Sequence, residues 1–290
     1  ILQAAGDSRH PLIYLIVSSI TNVVLDLLFV AGLDMGVGSA AFATIVSQLL
    51  SAGLCLRRLM KTRDTYRVVV SRIRFDLPML KQIVRFGLPS GLQNSIIGFA
   101  NVVVQSNINA FGQSAMAGCG AFSKIEGFGF LPITSFTMAL TTFVGQNLGA
   151  QKTERAKKGA RFGILCSMTL AEIIGIIIFI GAPMLIGLFS QDAEVIQIGT
   201  GRARTSALFF FLLAFSHCMA AILRGAGKST VPMLVMLLTW CLARVTFITI
   251  AVHFVPVIDI VFWAYPLTWL MSSAAFLVAY RRLDWQRAFQ

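Results

Sequence analysis

The sequence predicts an all-α polytopic membrane protein with about eight membrane-spanning helices, and three observations predict it. Hydrophobic residues make up 57% of the 290 and charged residues only 12%, against about 25% charged in an average soluble domain. Eight stretches are apolar enough to cross a bilayer, which takes about 20 residues of helix. The basic residues cluster in short segments between those stretches and do not cover a single face. Lys and Arg are placed this way when they set membrane topology. The net charge of +12 is therefore read as topology, and nucleic-acid binding is not expected.

Taken in order, the crossings fall at about 11–31 and 37–56, each a near-continuous run of Leu, Ile, Val, Ala and Phe. The longest polar interruption follows, from 61 to 86. Within it Leu77, Leu80, Ile83 and Val84 recur at helical spacing beside Lys81 and Arg85. That pattern predicts a short helix on the membrane surface, with an ordinary basic loop as the alternative. The third and fourth crossings, 87–111 and 118–144, hold more Gly, Asn, Gln and Ser than lipid tolerates on every side. Those side chains are expected to face protein or a water-filled cavity. Crossings at 162–188, 196–222, 231–253 and 258–280 complete the set. Gly87 and Gly91, and Gly159 and Gly163, stand four apart, a spacing that allows close helix contact but is common by chance. The five cysteines have no metal-ligand spacing and read as small packing residues.

Orientation follows from charge. Assigning the two ends and every second loop to one side gathers Arg9, the nine basic residues between 57 and 85, and the five between 152 and 161. Arg224, Lys228, Arg281, Arg282 and Arg287 join them, giving 20 of the 24 Lys and Arg. The opposite loops carry Asp34, Asp192, Glu194 and Asp259. Both ends of the chain are thus expected in the cytoplasm, in a multi-pass protein of the plasma membrane.

The chain also repeats itself at an offset of 221. Residues 1–11 lie over 222–232 with six of eleven positions identical: Ile, Leu, Ala, Gly, Ser and Pro. Both copies sit at a turn expected to be cytoplasmic and lead into a membrane helix. There Gly suits the turn, Ser the cap and Pro the first helical turn. Repeats running in the same direction mark transporters built of two similar bundles. The sequence opens inside the first copy at Ile1, so four helices of a first bundle are expected to precede it. The predicted organisation is 1–60, the last two helices of an N-terminal lobe; 61–86, a cytoplasmic basic linker; and 87–290, a complete six-helix lobe. Ala226-Gly227-Lys228-Ser229-Thr230 looks like a P-loop tail, but the required earlier Gly is Ile222 and no strand precedes it.

These residues resemble the multidrug and toxic compound extrusion (MATE) family. The resemblance rests on the paired Gly-Ser-x-x-Pro turns, on Phe143-Val144-Gly145-Gln146-Asn147-Leu148-Gly149-Ala150, and on Gly87-Leu88-Pro89. It implies twelve helices in two six-helix lobes that export organic cations in exchange for H⁺ or Na⁺. Independently of the resemblance, an ionised side chain at mid-membrane costs about 2.5–3.5 kcal/mol and needs a reason. Asp26 lies in the apolar run from 12 to 30, with Asn22 one turn earlier on the same face. The family carries such an Asn-x-x-x-Asp pair on its fifth helix as part of the cation site, with a Thr on the sixth. Asn22, Asp26 and Thr44 match them by resemblance, and an Asp retained only for stability is the alternative. Position 247, the equivalent of Asp26, is Phe, so the ion site is not duplicated. Nor does the tenth helix of the family pattern, around 211–219, carry an acid here.

Glu126, Glu172 and Arg244 also lie within predicted crossings. Either Glu is placed to draw cationic substrates into a cavity, with Arg244 pairing one of them, and a structural ion pair is the alternative. Asn101 and Gln105 share a face and are expected to line that cavity. The reading is of an antiporter, coupled to H⁺ or Na⁺, that exports cationic or amphipathic small molecules by alternating access. It is expected to work as a monomer in the bilayer and without a cofactor. A flippase of a lipid-linked precursor is the alternative among transporters. It would use a basic central cavity, whereas the second lobe offers mainly Arg244. An enzyme is not expected, since His217 and His253 are isolated and neither a Ser/His/Asp set nor HExxH occurs.

Overall fold

The computed structural model describes residues 1–64, 66–283 and 285, and Arg287 and the last part of the 87–290 segment lie outside them. The described residues are helical throughout, with no strand among them. The chain divides into two compact units, Ile1–Asp76 and Leu77–Gln290.

The first unit is a helical pair. α1, Arg9–Asp26, runs on through a π-helical segment, Leu27–Gly32, and α2, Gly36–Lys61, returns along it. Ser18 ties the two together by donating to the Ser47 carbonyl at 2.7 Å. Most of the aliphatic surface of α1, such as Leu12, Ile16, Val23 and Val24, is exposed within this unit. A short 3₁₀ turn, Val70–Arg72, lies in the basic segment that follows.

The second unit begins with α3, Leu77–Asn109. The helical turns expected at Leu77–Val84 form, but as the start of this 33-residue helix and not as a separate element. Pro89 sits inside α3, where it has no N–H to give the helical ladder and its ring crowds the carbonyl one turn earlier. α4 (Gln113–Gly149) and α5 (Thr153–Gly187) follow as the longest rods. Then come α6 (Ala193–Ala207) and α7 (Phe210–Gly225), bent by 55° at Leu208–Phe209. α8 (Thr230–Met236), a π-helical segment (Leu237–Ala243) and α9 (Arg244–Phe254) form one rod, and α10 (Asp259–Arg281) ends the described fold. Among the described residues six helices are long and apolar enough to cross a membrane, seven if the bent pair is one span. α3 is long enough but more polar, as its Asn and Gln content foretold, so eight rods stand where eight crossings are predicted.

The bend at Leu208–Phe209 has a physical cause that needs neither Pro nor Gly at the break. In a continuous helix the Phe211 N–H would donate to the Ala207 carbonyl. Instead it donates to Glu172 Oε2 at 3.2 Å, while the Ala207 carbonyl presses on Gly175, where a Cβ would collide with it. A side chain from α5 thus replaces one rung of the ladder, a recognised route to a kink.

Small residues set the helix spacing. A Cβ on Gly118 of α4 would come 2.7 Å from the Val195 carbonyl and 2.9 Å from the Gly199 nitrogen of α6. Gly159 and Gly163 meet Phe143 and Leu140 of α4, so that pair is a true contact; Gly87 and Gly91 have nothing within 4 Å. The main core, including Phe122, Phe210, Ile222 and Trp269, lies among α4, α5, α7 and α10.

The repeat is visible in the backbone. Gly6 and Gly227, equivalent at the offset of 221, both adopt positive φ, 88° and 78°. In the first copy Asp7 N donates to Leu2 O at 3.0 Å and Gly6 N to Gln3 O at 3.0 Å; in the second Lys228 N donates to Leu223 O and Gly227 N to Arg224 O, both at 2.9 Å. This is the Schellman closure, in which glycine takes the left-handed position. α1 and α8 then start at equivalent residues, Arg9 and Thr230.

Candidate functional site

Two places among the described residues bring sequence-predicted site residues together between apolar helices, one in each unit. In the first, Asn22 Nδ2 donates to Thr44 Oγ1 at 3.4 Å, joining α1 to α2. Asp26 stands one turn further along, at the junction with the π-helical segment. Its Oδ1 is buried without a hydrogen-bond partner. A buried carboxylate oxygen is normally satisfied, and π-helical turns recur at functional sites. Two carboxylate oxygens, an amide and a hydroxyl are oxygen-rich chemistry suited to a proton or a hard monovalent cation. A groove of about 870 Å³ elsewhere in this unit is larger, but its walls are mostly aliphatic, with Leu2, Leu12, Leu15 and Leu59 among them.

The second place is a cavity of about 490 Å³ inside the second unit. Asn94, Asn101 and Gln105 of α3 and Glu126 of α4 line one part of it. Arg202 of α6, Trp240 of the π-helical segment, Arg244 of α9 and Tyr265 of α10 line another. The structure therefore brings Asn101, Gln105, Glu126 and Arg244 to one cavity. Glu172 is a correction: it does not line this cavity, because its carboxylate is engaged at the start of α7. An anionic group at a helix N-terminus meets its unpaired N–H groups and the favourable end of the dipole.

Arg244 is a second correction. It pairs with neither Glu; no salt bridge to it occurs among the described residues. Its Nε and Nη2 donate to Thr268 Oγ1 at 3.0 and 2.6 Å, and Thr268 donates in turn to the Ala264 carbonyl at 2.8 Å. The guanidinium lies 4.8 Å from the Trp240 ring centre and 4.5 Å from that of Tyr265.

Arg202 is the cavity-lining charged residue that sequence reasoning missed. Its Nη2 donates to the Tyr265 hydroxyl at 3.2 Å. Its guanidinium lies 5.1 Å from the Tyr265 ring centre and 5.5 Å from that of Phe122. Nε and Nη1 are buried without an oxygen acceptor. The expectation that Arg244 is the main internal cation is thus corrected: two arginines reach the cavity. The available signal was the cost of an arginine inside an apolar stretch. His217 also lines the cavity, with its ring between Phe130 at 4.9 Å and Trp240 at 5.4 Å.

Comparison with known proteins gives these sites a context. The family model MatE matches residues 89–250. The probable multidrug resistance protein NorM of Thermotoga maritima is 29% identical over 247 residues, which cover 84% of this chain and 53% of that protein. An FAD transporter of Shewanella oneidensis is 26% identical over 205 residues, 68% of this chain and 44% of that one. Among solved structures, a MOP superfamily transporter from Pyrococcus furiosus superposes with a TM-score of 0.90 at 25% identity, covering 97% of this chain and 64% of that chain. For that protein, reverse polarity of the binding pocket suggests a different function. The chain spans about half the length of the curated relatives it matches. With more than half of its residues matched by the family model, on an all-helical membrane fold shared with solved transporters, the chain belongs to the MatE family.

Proposed function

We propose that the protein to which this chain belongs exports amphipathic small molecules across the plasma membrane in exchange for H⁺ or Na⁺. The observation that carries this reading is Asp26, a carboxylate with an unpartnered buried oxygen beside the Asn22–Thr44 contact. Protonation or Na⁺ binding there would relieve the unsatisfied oxygen, and release on the other side of the membrane would restore it. The relatives' names support small-molecule transport: multidrug resistance for the T. maritima protein, FAD transport for the S. oneidensis one and multidrug export for a Staphylococcus saprophyticus one. Cytoplasmic placement of both ends and action as a monomer belong to the same proposal and follow from the charge distribution and the family likeness.

A flippase of a lipid-linked precursor is the second reading, and Arg202 is the observation that favours it, because it makes the cavity more basic. The exporter reading is preferred since the cavity is bounded by aromatic rings and sized for a small molecule. The deciding experiment is transport of free dyes by the full-length protein in proteoliposomes under imposed H⁺ or Na⁺ gradients. Gradient-driven dye movement that is lost in Asp26→Asn, with membrane insertion intact, is the expected result. Movement unchanged in Asp26→Asn would remove the coupling role, and no dye movement in the wild type would favour the flippase.

A further inference from the structure

We infer that the cavity of the second unit is built for an aromatic organic anion, a flat ring system bearing a carboxylate or phosphate group. This names the substrate class of the exporter proposed above and rests on that reading. Arginine stays protonated in proteins, so Arg202 and Arg244 contribute two fixed positive charges. The lining supplies one carboxylate, Glu126. The wall is therefore net positive when Glu126 is ionised and more so when it is protonated.

Neither guanidinium has a carboxylate of its own, and among the described residues Glu126 is the one acid whose charge acts on both. Among the described residues no carboxylate lies within 4 Å of either. Each is held instead by a neutral hydroxyl, Tyr265 for Arg202 and Thr268 for Arg244. Such partners, together with aromatic rings, fix an arginine in place without cancelling its charge. Arg202 is 4% exposed, and its Nε and Nη1 have no oxygen acceptor, the Cys119 thiol beside the guanidinium being only a weak one. Buried charged donors left unsatisfied are costly, so the site gains from an acceptor that enters it. Planar guanidinium groups match carboxylate and phosphate oxygens especially well.

The remaining walls set the rest of the ligand. Trp240, Tyr265, Phe130 and His217 offer ring faces and edges to a flat aromatic body. Asn94 and Gln105 supply neutral donors and acceptors for its polar substituents. A volume of about 490 Å³ falls within the usual range of about 300–1,000 Å³ for small-molecule sites. A cation of the same shape would meet two fixed positive charges and gain only Glu126.

The test uses two dyes that share a xanthene ring system, anionic fluorescein and cationic rhodamine 123, with the full-length protein in nanodiscs. Fluorescence anisotropy measures the binding of each. Wild-type protein should bind fluorescein at least about tenfold more tightly than rhodamine 123, the order of difference a hydrogen-bonded charge confers. Arg202→Gln and Arg244→Gln should each erode that preference, and Arg202→Lys and Arg244→Lys should retain part of it. Equal or tighter rhodamine 123 binding by the wild type would overturn the inference without any variant having to fold. Fluorescein binding unchanged in both Gln variants would overturn it as well. Anion-selective binding without gradient-driven transport in proteoliposomes would sink the exporter reading and leave the selectivity standing. Gradient-driven transport confined to rhodamine 123 would do the reverse.

Discussion

Arg244 gives two hydrogen bonds to a single acceptor, the Thr268 hydroxyl, from Nε at 3.0 Å and Nη2 at 2.6 Å. Both residues are almost fully buried. Thr268 is therefore the residue that aims the guanidinium, and its own proton is occupied by the backbone of α10. Thr268→Val keeps the shape and removes the acceptor. A hydrogen bond to a charged group contributes about 1.5–3 kcal/mol, so this variant should lower the thermal denaturation midpoint of the full-length protein. Thr268→Ser should restore most of the loss. An unchanged midpoint in Thr268→Val would mean that Arg244 is held by Trp240 and Tyr265 alone.

Glu172 stabilises the bend between α6 and α7 through the Phe211 N–H. Loss of an N-terminal cap costs about 0.5–2 kcal/mol. Glu172→Ala should destabilise the protein by that order, and Glu172→Gln by less, because an amide oxygen still accepts the bond. Dye binding should survive Glu172→Gln, since this side chain lies away from the cavity. A selective loss of binding in Glu172→Gln, at unchanged thermal stability, would return it to the site.

Much of this was legible in the sequence because a bilayer enforces simple rules. Twenty-residue apolar runs are hard to mistake, and each predicted crossing has its rod. The repeat was readable because Gly6 and Gly227 must both adopt a conformation that favours glycine. The bend was not, because its causes, Glu172 and Gly175, lie more than thirty residues before it and act only through packing. Asn101, Gln105, Glu126 and Arg244 could be picked out as polar groups in apolar surroundings. Arg202 met the same criterion, lying within the crossing predicted at 196–222, but it was not singled out among the four basic residues outside the cytoplasmic count. Tyr265 and Thr268 carry no such mark, since aromatic and hydroxyl residues are ordinary in membrane helices and only tertiary structure selects them.

Helical glycines have different consequences here, which mutation can separate. Gly118 and Gly199 bring the backbones of α4 and α6 together, and a Cβ on either would reach main-chain atoms at 2.7–3.0 Å. Backbone cannot step aside as a flexible side chain does, so Gly118→Ala should cost about 1–3 kcal/mol, the usual range for overpacking. Gly91 has open space around its Cβ position. Gly91→Ala should be neutral or stabilising by up to about 1 kcal/mol, from helix propensity. Midpoints moving in the same direction for both variants would contradict this account of the packing.

Acid sensitivity is expected at the turn before α1. The Asp7 carboxyl is held below the usual carboxylate value, chiefly by its hydrogen bond to His10, with the nearby Arg58 charge adding to the effect. His10 Nδ1 lies 2.7 Å from Asp7 Oδ2, and Arg58 Nη2 lies 3.9 Å from the same oxygen. A carboxylate lowered in the folded state favours folding wherever it is ionised in both states. That contribution is whole above the unfolded value and fades as pH falls through the folded one. The thermal midpoint of the full-length protein should therefore drop on acidification below the ordinary carboxylate range, in part through this turn. Asp7→Asn should lower stability at neutral pH and flatten the acid side of the profile. Lys228, the equivalent residue of the second copy, gives that turn no carboxylate to protonate, so Lys228→Gln should leave the acid limb unchanged. An acid limb equally steep in wild type and Asp7→Asn would show that the dependence arises elsewhere.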